Sequence, residues 1–350
     1  MNTGPLPRIS VARAPPGTAW DTYVERHPAA KPYHLAGWSE TVADLFRLEA
    51  HYLTACNPTG DIVGVLPLVR QRSRLFRDRL TSLPFFNYGG ALADDEGTRV
   101  ALMARSMELA RELGVSRLEL RDTIPPPTGW SYRSDKAALL LELPLGTEEL
   151  RKSFGSKLRS QIKRAEREQL QVRVGGVDRV ADFYVVFAEV MRDLGTPVYP
   201  RSFFERLAER LAAYCTVMTV SYDGRPVAGA FLVGYRDTLE VPWAGTISAM
   251  KSRATNMVLY SEALKLAVER GFRTFDFGRS TIDSGPYRFK RQWGAVPVPL
   301  RWSVWPPESA PAEAQETAGA RFSAATRIWS RLPLSVASRL GPLISPSLPW

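Results

Sequence analysis

The sequence predicts an α/β (α+β) protein made of two copies of one unit, followed by an amphipathic helical tail. Three observations predict it: a helix–glycine–strand motif that occurs twice, a strand hairpin ahead of each copy, and an acid-free basic stripe after residue 320. The motif reads LARELGVSRLEL at 109–120 and LAVERGFRTFDF at 266–277. The shift of 157 residues that takes Leu109 to Leu266 also aligns Ala110 with Ala267, Glu112 with Glu269, Gly114 with Gly271 and Glu119 with Asp276. Each copy is the end of an amphipathic helix, a glycine stop and a short alternating strand. Upstream, GDIVGVLPLV at 60–69 parallels GRPVAGAFLV at 224–233, and each follows a short strand and a polar glycine turn. Tyr88-Gly89-Gly90 parallels Trp243-Ala244-Gly245 at the end of a third strand. Three matches in one order imply duplication.

The elements follow in sequence. Helical stretches are expected around 18–26 and 37–47, then the first hairpin, third strand, helix and strand. The border to the second copy falls near Pro144–Gly146, giving domains 1–145 and 146–305. The second copy opens with TEELRKSFGSKLRSQIKRAEREQL at 147–170, where Leu150, Phe154, Leu158, Ile162 and Ala165 form one stripe. Thr147 is the expected N-cap, and Gly155 is placed to break the stretch in two. Further helices are expected at 177–194 and 201–213. Residues 306–320, rich in Pro, Ala and Glu, read as a linker. In 321–350, Arg321, Arg327, Arg331 and Arg339 occur with no acid, while Phe322, Trp329, Leu332, Val336, Leu340 and Leu343 recur every three or four residues. This tail either packs on the domain surface or a partner subunit, or lies as an interfacial helix on an anionic membrane.

Composition limits the function. Of 350 residues, 45% are hydrophobic and 23% charged, which suits a folded protein rather than a disordered one. Two cysteines and three histidines argue against a disulfide framework and a His- or Cys-rich metal centre. A net charge of +10, mostly arginine, favours anionic partners. The N-terminus lacks the pattern of a signal peptide, and no apolar run approaches the ~18–20 residues of a membrane span, so a cytoplasmic location is expected.

The densest polar and aromatic segment starts at the end of the last duplicated strand. It holds Asp276, Gly278, Arg279 and Ser280, then Tyr287, Phe289, Lys290 and Trp293. Strand ends are where α/β proteins bind ligands. Gly278 permits close backbone approach, Arg279 and Lys290 supply positive charge, and Tyr287 and Trp293 supply flat walls. Asp276 is either a general base or a salt-bridged turn residue beside Arg279. On the helix at 151–167, Arg159 and Lys163 belong to a one-sided basic surface that is either solvated or phosphate-binding. No P-loop, G-x-S-x-G elbow or H-E-x-x-H motif occurs, and Cys215 lies in a hydrophobic strand.

LVGYRDTLEVPWAGT, the helix start Asn256–Tyr260, and AVERGFRTFDFGRS…GPYRFKRQWGA resemble the second half of FemAB-type acyltransferases. Within these, the similarity is to the exosortase-associated, PEP-CTERM-linked FemAB-like branch of Gram-negative bacteria. WSETVADLF, VGVLPLVRQRSRLF and LTSLPFFNYGG extend the resemblance to the first half, over about residues 20–305, with a looser match at the W-x-x-L-P of 329–333. The resemblance implies tandem GNAT-like acyltransferase folds, with two mixed β-sheets flanked by helices. It implies transfer of an acyl or aminoacyl group to an amine on an anionic cell-envelope, peptidoglycan or exopolysaccharide precursor.

Two departures bear on the donor. The helical-hairpin insertion of tRNA-dependent Fem ligases is missing, because 147–213 is too short for it. The Q/R-x-x-G-x-G/A loop of acetyl-CoA-dependent relatives is not evident either. The donor is therefore acyl-CoA or aminoacyl-tRNA, with no permanently bound cofactor and no metal. Direct attack by an amine needs positioning and oxyanion stabilisation more than a protein nucleophile. Asp276, Arg279 and Lys290 are the expected catalytic residues. Tyr88, Arg159, Lys163, Trp243, Asn256, Tyr260, Gly278, Ser280, Tyr287, Phe289 and Trp293 are expected to contact substrate. The alternatives are a non-catalytic binder of anionic glycan or RNA, and a scaffold at the inner membrane acting through 321–350.

Overall fold

In the computed structural model, which describes residues 7–73, 78–306 and 324–348, the duplication becomes two mixed sheets flanked by helices. The first unit runs β1 (Arg8–Ala12), α1 (Thr18–Arg26), α2 (Ala36–Phe46), β2 (Glu49–Cys56), β3 (Ile62–Gln71), β4 (Arg79–Thr81), β5 (Leu92–Ala93), α3 (Glu96–Glu112), β6 (Arg117–Asp122) and β7 (Ser131–Arg133). Its sheet has the order β1-β2-β3-β4-β6-β15-β7, where β15 (Arg301–Trp305) returns from late in the chain and β5 pairs with β3. α3 starts because the Asp95 side chain accepts from the Thr98 N–H at 2.9 Å, and the chain turns out of it at Gly114, whose φ is +62°. Its Leu102, Met103, Leu109 and Ala110 are buried with Leu53, Leu66, Leu68, Leu118 and Leu120 of the sheet. Each such leucine contributes ~1.5–3 kcal/mol.

The second unit runs β8 (Lys136–Glu142), α4 (Thr147–Ser153), α5 (Ser156–Ala165), β9 (Gln171–Gly175), α6 (Val180–Asp193), α7 (Arg201–Arg210), β10 (Cys215–Tyr222), β11 (Arg225–Tyr235), β12 (Thr238–Thr246), α8 (Thr255–Glu269), β13 (Thr274–Thr281), α9 (Gly285–Arg291) and β14 (Val296–Pro299). The strand order is β14-β8-β13-β12-β11-β10-β9. Alternation along β11 separates two layers, and a register shift opposite Phe231–Val233 inserts an extra residue in β12, so that Val241 and Trp243 take opposite faces. Ala230, Leu232 and Val241 join the core of α5 and α8. Phe231, tilted, and Trp243, edge-on, instead pack against Phe204, whose ring also meets Phe183 and Phe187 of α6.

Several expectations shift. The border between units lies at 135/136, because β8 pairs with β13 and so belongs to the second sheet, whereas β15 pairs with β6 and belongs to the first. Gly146, not Thr147, precedes α4 as its N-cap, without a side-chain cap. Gly155 does divide the basic stretch, as the N-cap of α5. Apart from Pro306, the expected linker at 306–320 lies outside the described residues. In the tail, α10 (324–329) and α11 (Leu334–Ile344) are helical, and α11 packs on α6. Among the described residues no helix is long and apolar enough to cross a membrane.

Candidate functional site

The second sheet opens between β12 and β13. The two strands pair in parallel over Thr238–Thr274, Leu239–Phe275 and Glu240–Asp276. Beyond Asp276, β13 continues only along β8, with a register shift between Asp276 and Arg279. Gly278 adopts φ +72° in this bulge, where a Cβ would be strained. The Asp276 carboxylate fixes the bulge by accepting from the Gly278 N–H at 2.8 Å. Two carbonyls of the bulge, Gly278 and Arg279, take their hydrogen bonds from the Lys290 ammonium, at 3.0 and 3.1 Å. α9 presents that ammonium: Ser284 caps it by accepting from the Tyr287 N–H, and Pro286 lies in its first turn.

At the end of β12, where it has parted from β13, lies a cleft of about 450 Å³. β12 contributes Ala244, Gly245 and Thr246; the following loop Ser248 and Lys251; α8 Asn256 and Tyr260; α9 Gly285, Pro286, Phe289 and Lys290; and α6 with its C-terminal residue Val190, Asp193 and Leu194. α6 can approach because residue 245 is glycine: a Cβ there would stand 2.9 Å from a Val190 methyl. Thr246 Oγ1 donates to Asn256 Oδ1 at 2.6 Å, which turns the amide Nδ2 away from it. α8 begins at Ala254, in the left-handed conformation, with no side chain capping its first N–H groups.

The electrostatics centre on Lys290. Burial pushes its ammonium down to about 8; Asp276 and Glu240 oppose that shift, and Arg279 adds to it. At pH 7 roughly nine-tenths of the side chain still carries its charge. An ammonium has three N–H groups, and the two bulge carbonyls use two of them. Burial pushes the Tyr260 phenol up to about 12, so it is a neutral hydroxyl on the cleft wall.

At the equivalent position of the first unit the described residues bridge the parting strands. β4 and β6 also pair in parallel over three residues, ending at Thr81–Glu119. There the gap is bridged: Ser82 N–H donates to the Glu119 carbonyl at 2.9 Å, and Arg121 N–H donates to Ser82 Oγ at 3.0 Å. The Arg121 guanidinium donates to the Phe86 carbonyl and lies 4.2 Å from the Trp302 ring centroid. Asp122 is buried against Gly90, where a Cβ would overlap its carboxylate. Tyr88 belongs to this packing, stacked on Tyr33.

Of the residues singled out from sequence, Asn256, Tyr260, Phe289 and Lys290 line the cleft together. Asp276 and Gly278 stand behind it as supports of the bulge. Ser280 is buried in β13, and Arg279 is half-buried there, opposite Ala138. Trp293 is 2% exposed and packs edge-on with Phe154, and Tyr287 also joins the hydrophobic core, so both are packing rather than cleft walls. Trp243 is corrected by the bulge in β12: it faces the aromatic layer, and its neighbour Ala244 faces the cleft. Arg159 donates to the Lys152 and Phe154 carbonyls and so ties α5 to α4, while Lys163 is exposed. Sequence reasoning missed Val190, Asp193, Leu194, Thr246, Ser248 and Lys251. No local motif marks them; only the packing of α6 and the loop against β12 brings them together.

Residues 152–291 match the family model described as an acetyltransferase (GNAT) domain. Among solved structures the chain is similar to FemX, with a TM-score of 0.64 and 15% identity over 81% of this chain and 94% of that one. It is similar to a tandem GNAT protein from the clavulanic acid biosynthesis pathway, with a TM-score of 0.56 and 12% identity over 87% of this chain and all of that one. A third similar structure is L-PGS from Bacillus licheniformis, at TM-score 0.55 and 11% identity over 95% of this chain and 100% of that one. At these identities the likeness is one of fold. Comparison with curated protein sequences gave no match. Fold and site thus define a mixed α/β protein resembling tandem GNAT folds, with its GNAT domain match over the second unit.

Proposed function

We propose that the chain is an N-acyltransferase that moves an acyl group from a coenzyme A thioester to an amine, in the cleft between the end of β12 and α9. The observation that carries this reading is the buried, charged Lys290 at the bulge where the two strands part. A thioester carbonyl entering the gap meets the remaining Lys290 N–H, which stabilises the oxyanion as the amine attacks. The C–N bond forms, the C–S bond breaks, and the thiolate leaves. Asp193, the carboxylate of the lining, is held by Arg192 at 2.7 Å and Ser248 at 3.1 Å, and accepts the amine's proton on a remaining lone pair. The uncapped start of α8 and Lys251 suit the phosphates of the donor. The GNAT domain match and the FemX-like fold support acyl transfer in general; an envelope or exopolysaccharide amine as the acceptor rests on the sequence resemblance.

The test is direct. The full chain is incubated with a panel of acyl-CoA thioesters and amines, including amino sugars, and read by thiol release and product mass. Amine-dependent thiol release with a matching mass gain is expected. Failure to bind any thioester by calorimetry, with no product from any pair, would discard the reading.

A further inference from the structure

α11 is packed on one face and exposes apolar side chains on another. The inner face is Ala337 and Gly341, both buried, with the buried Ser345 just past the helix end; a Cβ on Gly341 would stand 2.8 Å from the Val198 backbone nitrogen, so this face sits tightly on the body of the second unit. The outer face is Val336, Leu340 and Leu343, exposed by 38, 41 and 77%, with Arg339 exposed among them. Ile328 of α10 is 67% exposed as well, and Arg327 and Arg331 near it are exposed. No acidic residue occurs between 321 and 350, and among the described residues these three arginines make no ion pair.

We propose that this outer face docks flat on an anionic lipid bilayer. The combination of exposed leucines with unneutralised arginines is what an anionic interface binds, through apolar burial and headgroup attraction together. α11 has 11 residues, ~16 Å of helix, and its inner face is already packed, so it lies on a ~30 Å hydrocarbon core rather than crossing it. A second copy of the chain is a poor occupant: two-fold pairing would set arginines against arginines with no acid on the face to compensate. Docking also places the cleft. The tail rests on Arg192, Gly195 and Val198, which interleave with the cleft residues Val190, Asp193 and Leu194. A docked tail therefore holds the cleft beside the headgroups. That the acceptor amine is then borne at the bilayer surface rests on the acyl-transfer reading; the docking does not.

The experiment is co-sedimentation of the full chain with phosphatidylcholine vesicles, and with the same vesicles carrying phosphatidylglycerol. Binding is expected to the anionic vesicles only, weakening with salt. Arg327→Gln/Arg331→Gln/Arg339→Gln should lower partitioning on the order of a hundredfold, about fivefold per charge. Leu340→Ser/Leu343→Ser should lower it as well, and thiol release with a soluble amine should stay unchanged in both variants. No partitioning, or partitioning indifferent to both variants, overturns the proposal. A dimer formed without lipid and lost in Leu340→Ser/Leu343→Ser would overturn it too, by assigning the face to a second copy.

Discussion

Lys290 Nζ donates to the Gly278 carbonyl at 3.0 Å across twelve residues, tying α9 to the bulge of β13. The bond joins the two features that make the cleft: a strand that has left its neighbour, and a buried positive charge at the point of departure. The same ammonium holds the gap in shape and supplies charge to what enters it. Its two duties separate experimentally, because one appears in binding and stability and the other in turnover.

Lys290→Met keeps the length of the side chain and removes the charge. It should lower kcat by roughly 10²–10³, the usual loss of an oxyanion-stabilising donor, and change the donor KM by only a few-fold. A large rise in KM with kcat kept would instead make Lys290 a purely structural pin. Stopped-assay kinetics with the cognate thioester checks this.

The pH dependence of stability carries the same signature. The folded Lys290 titrates at about 8 against an ordinary 10.5, so the unfolded chain holds more protons between those values. The stability tied to this group is present above 10.5 and lost as pH falls through about 8, a difference of ~3 kcal/mol at most. Urea melts of the parent protein should therefore show stability gained between pH 8 and 10 relative to Lys290→Met. Parallel curves for the two proteins would refute a buried charged lysine.

Much of the fold is legible in the sequence because it rests on local chemistry. The helix–Gly–strand repeat at Gly114 and Gly271 specifies α3–β6 and α8–β13, and both glycines do take positive φ. The chain gives no local sign that β15 crosses to the first sheet, because strand partnership is settled by tertiary pairing. The cleft was half legible. Lys290, Phe289, Asn256 and Tyr260 stand in dense segments, whereas Asp193 and Thr246 lie in ordinary helix-end and strand-end contexts. The facing of Trp243 is not legible in the sequence, because the bulge in β12 is set by its pairing with β11 and the aromatic layer it meets is supplied by α6 and α7.

Asp122 offers a stability prediction in the first unit. Burial pushes its carboxyl up to about 7, partly opposed by Arg99 and a hydrogen bond from Ala91, and its Oδ2 is buried without a hydrogen-bond partner. The unfolded group titrates near 3.8, so its contribution to stability is full below about 4 and lost as pH rises through 7. Asp122→Asn keeps the shape and removes the ionisation. It should stabilise the chain at pH 8 by up to ~4 kcal/mol and have little effect at pH 4. Chemical denaturation at the two pH values reads the difference, and an equal effect at both would refute the assignment.

Trp243 and Ala244 are adjacent on β12 yet should fail in opposite ways. Trp243 is 7% exposed and meets Phe203, Phe204 and Phe231 edge-on, so Trp243→Ala removes the centre of an aromatic layer. A loss of ~3–5 kcal/mol in stability is expected, with thioester affinity of the remaining folded protein nearly unchanged. Ala244 lines the cleft on the opposite face of the strand. Ala244→Leu adds three carbons where the donor is to lie, and should raise its dissociation constant at least tenfold while costing ~1 kcal/mol or less in stability. Calorimetric titration with the thioester, paired with urea melts, separates the two. Equal thioester affinity in Ala244→Leu and the parent protein would show that the cleft at the end of β12 is not where the donor binds.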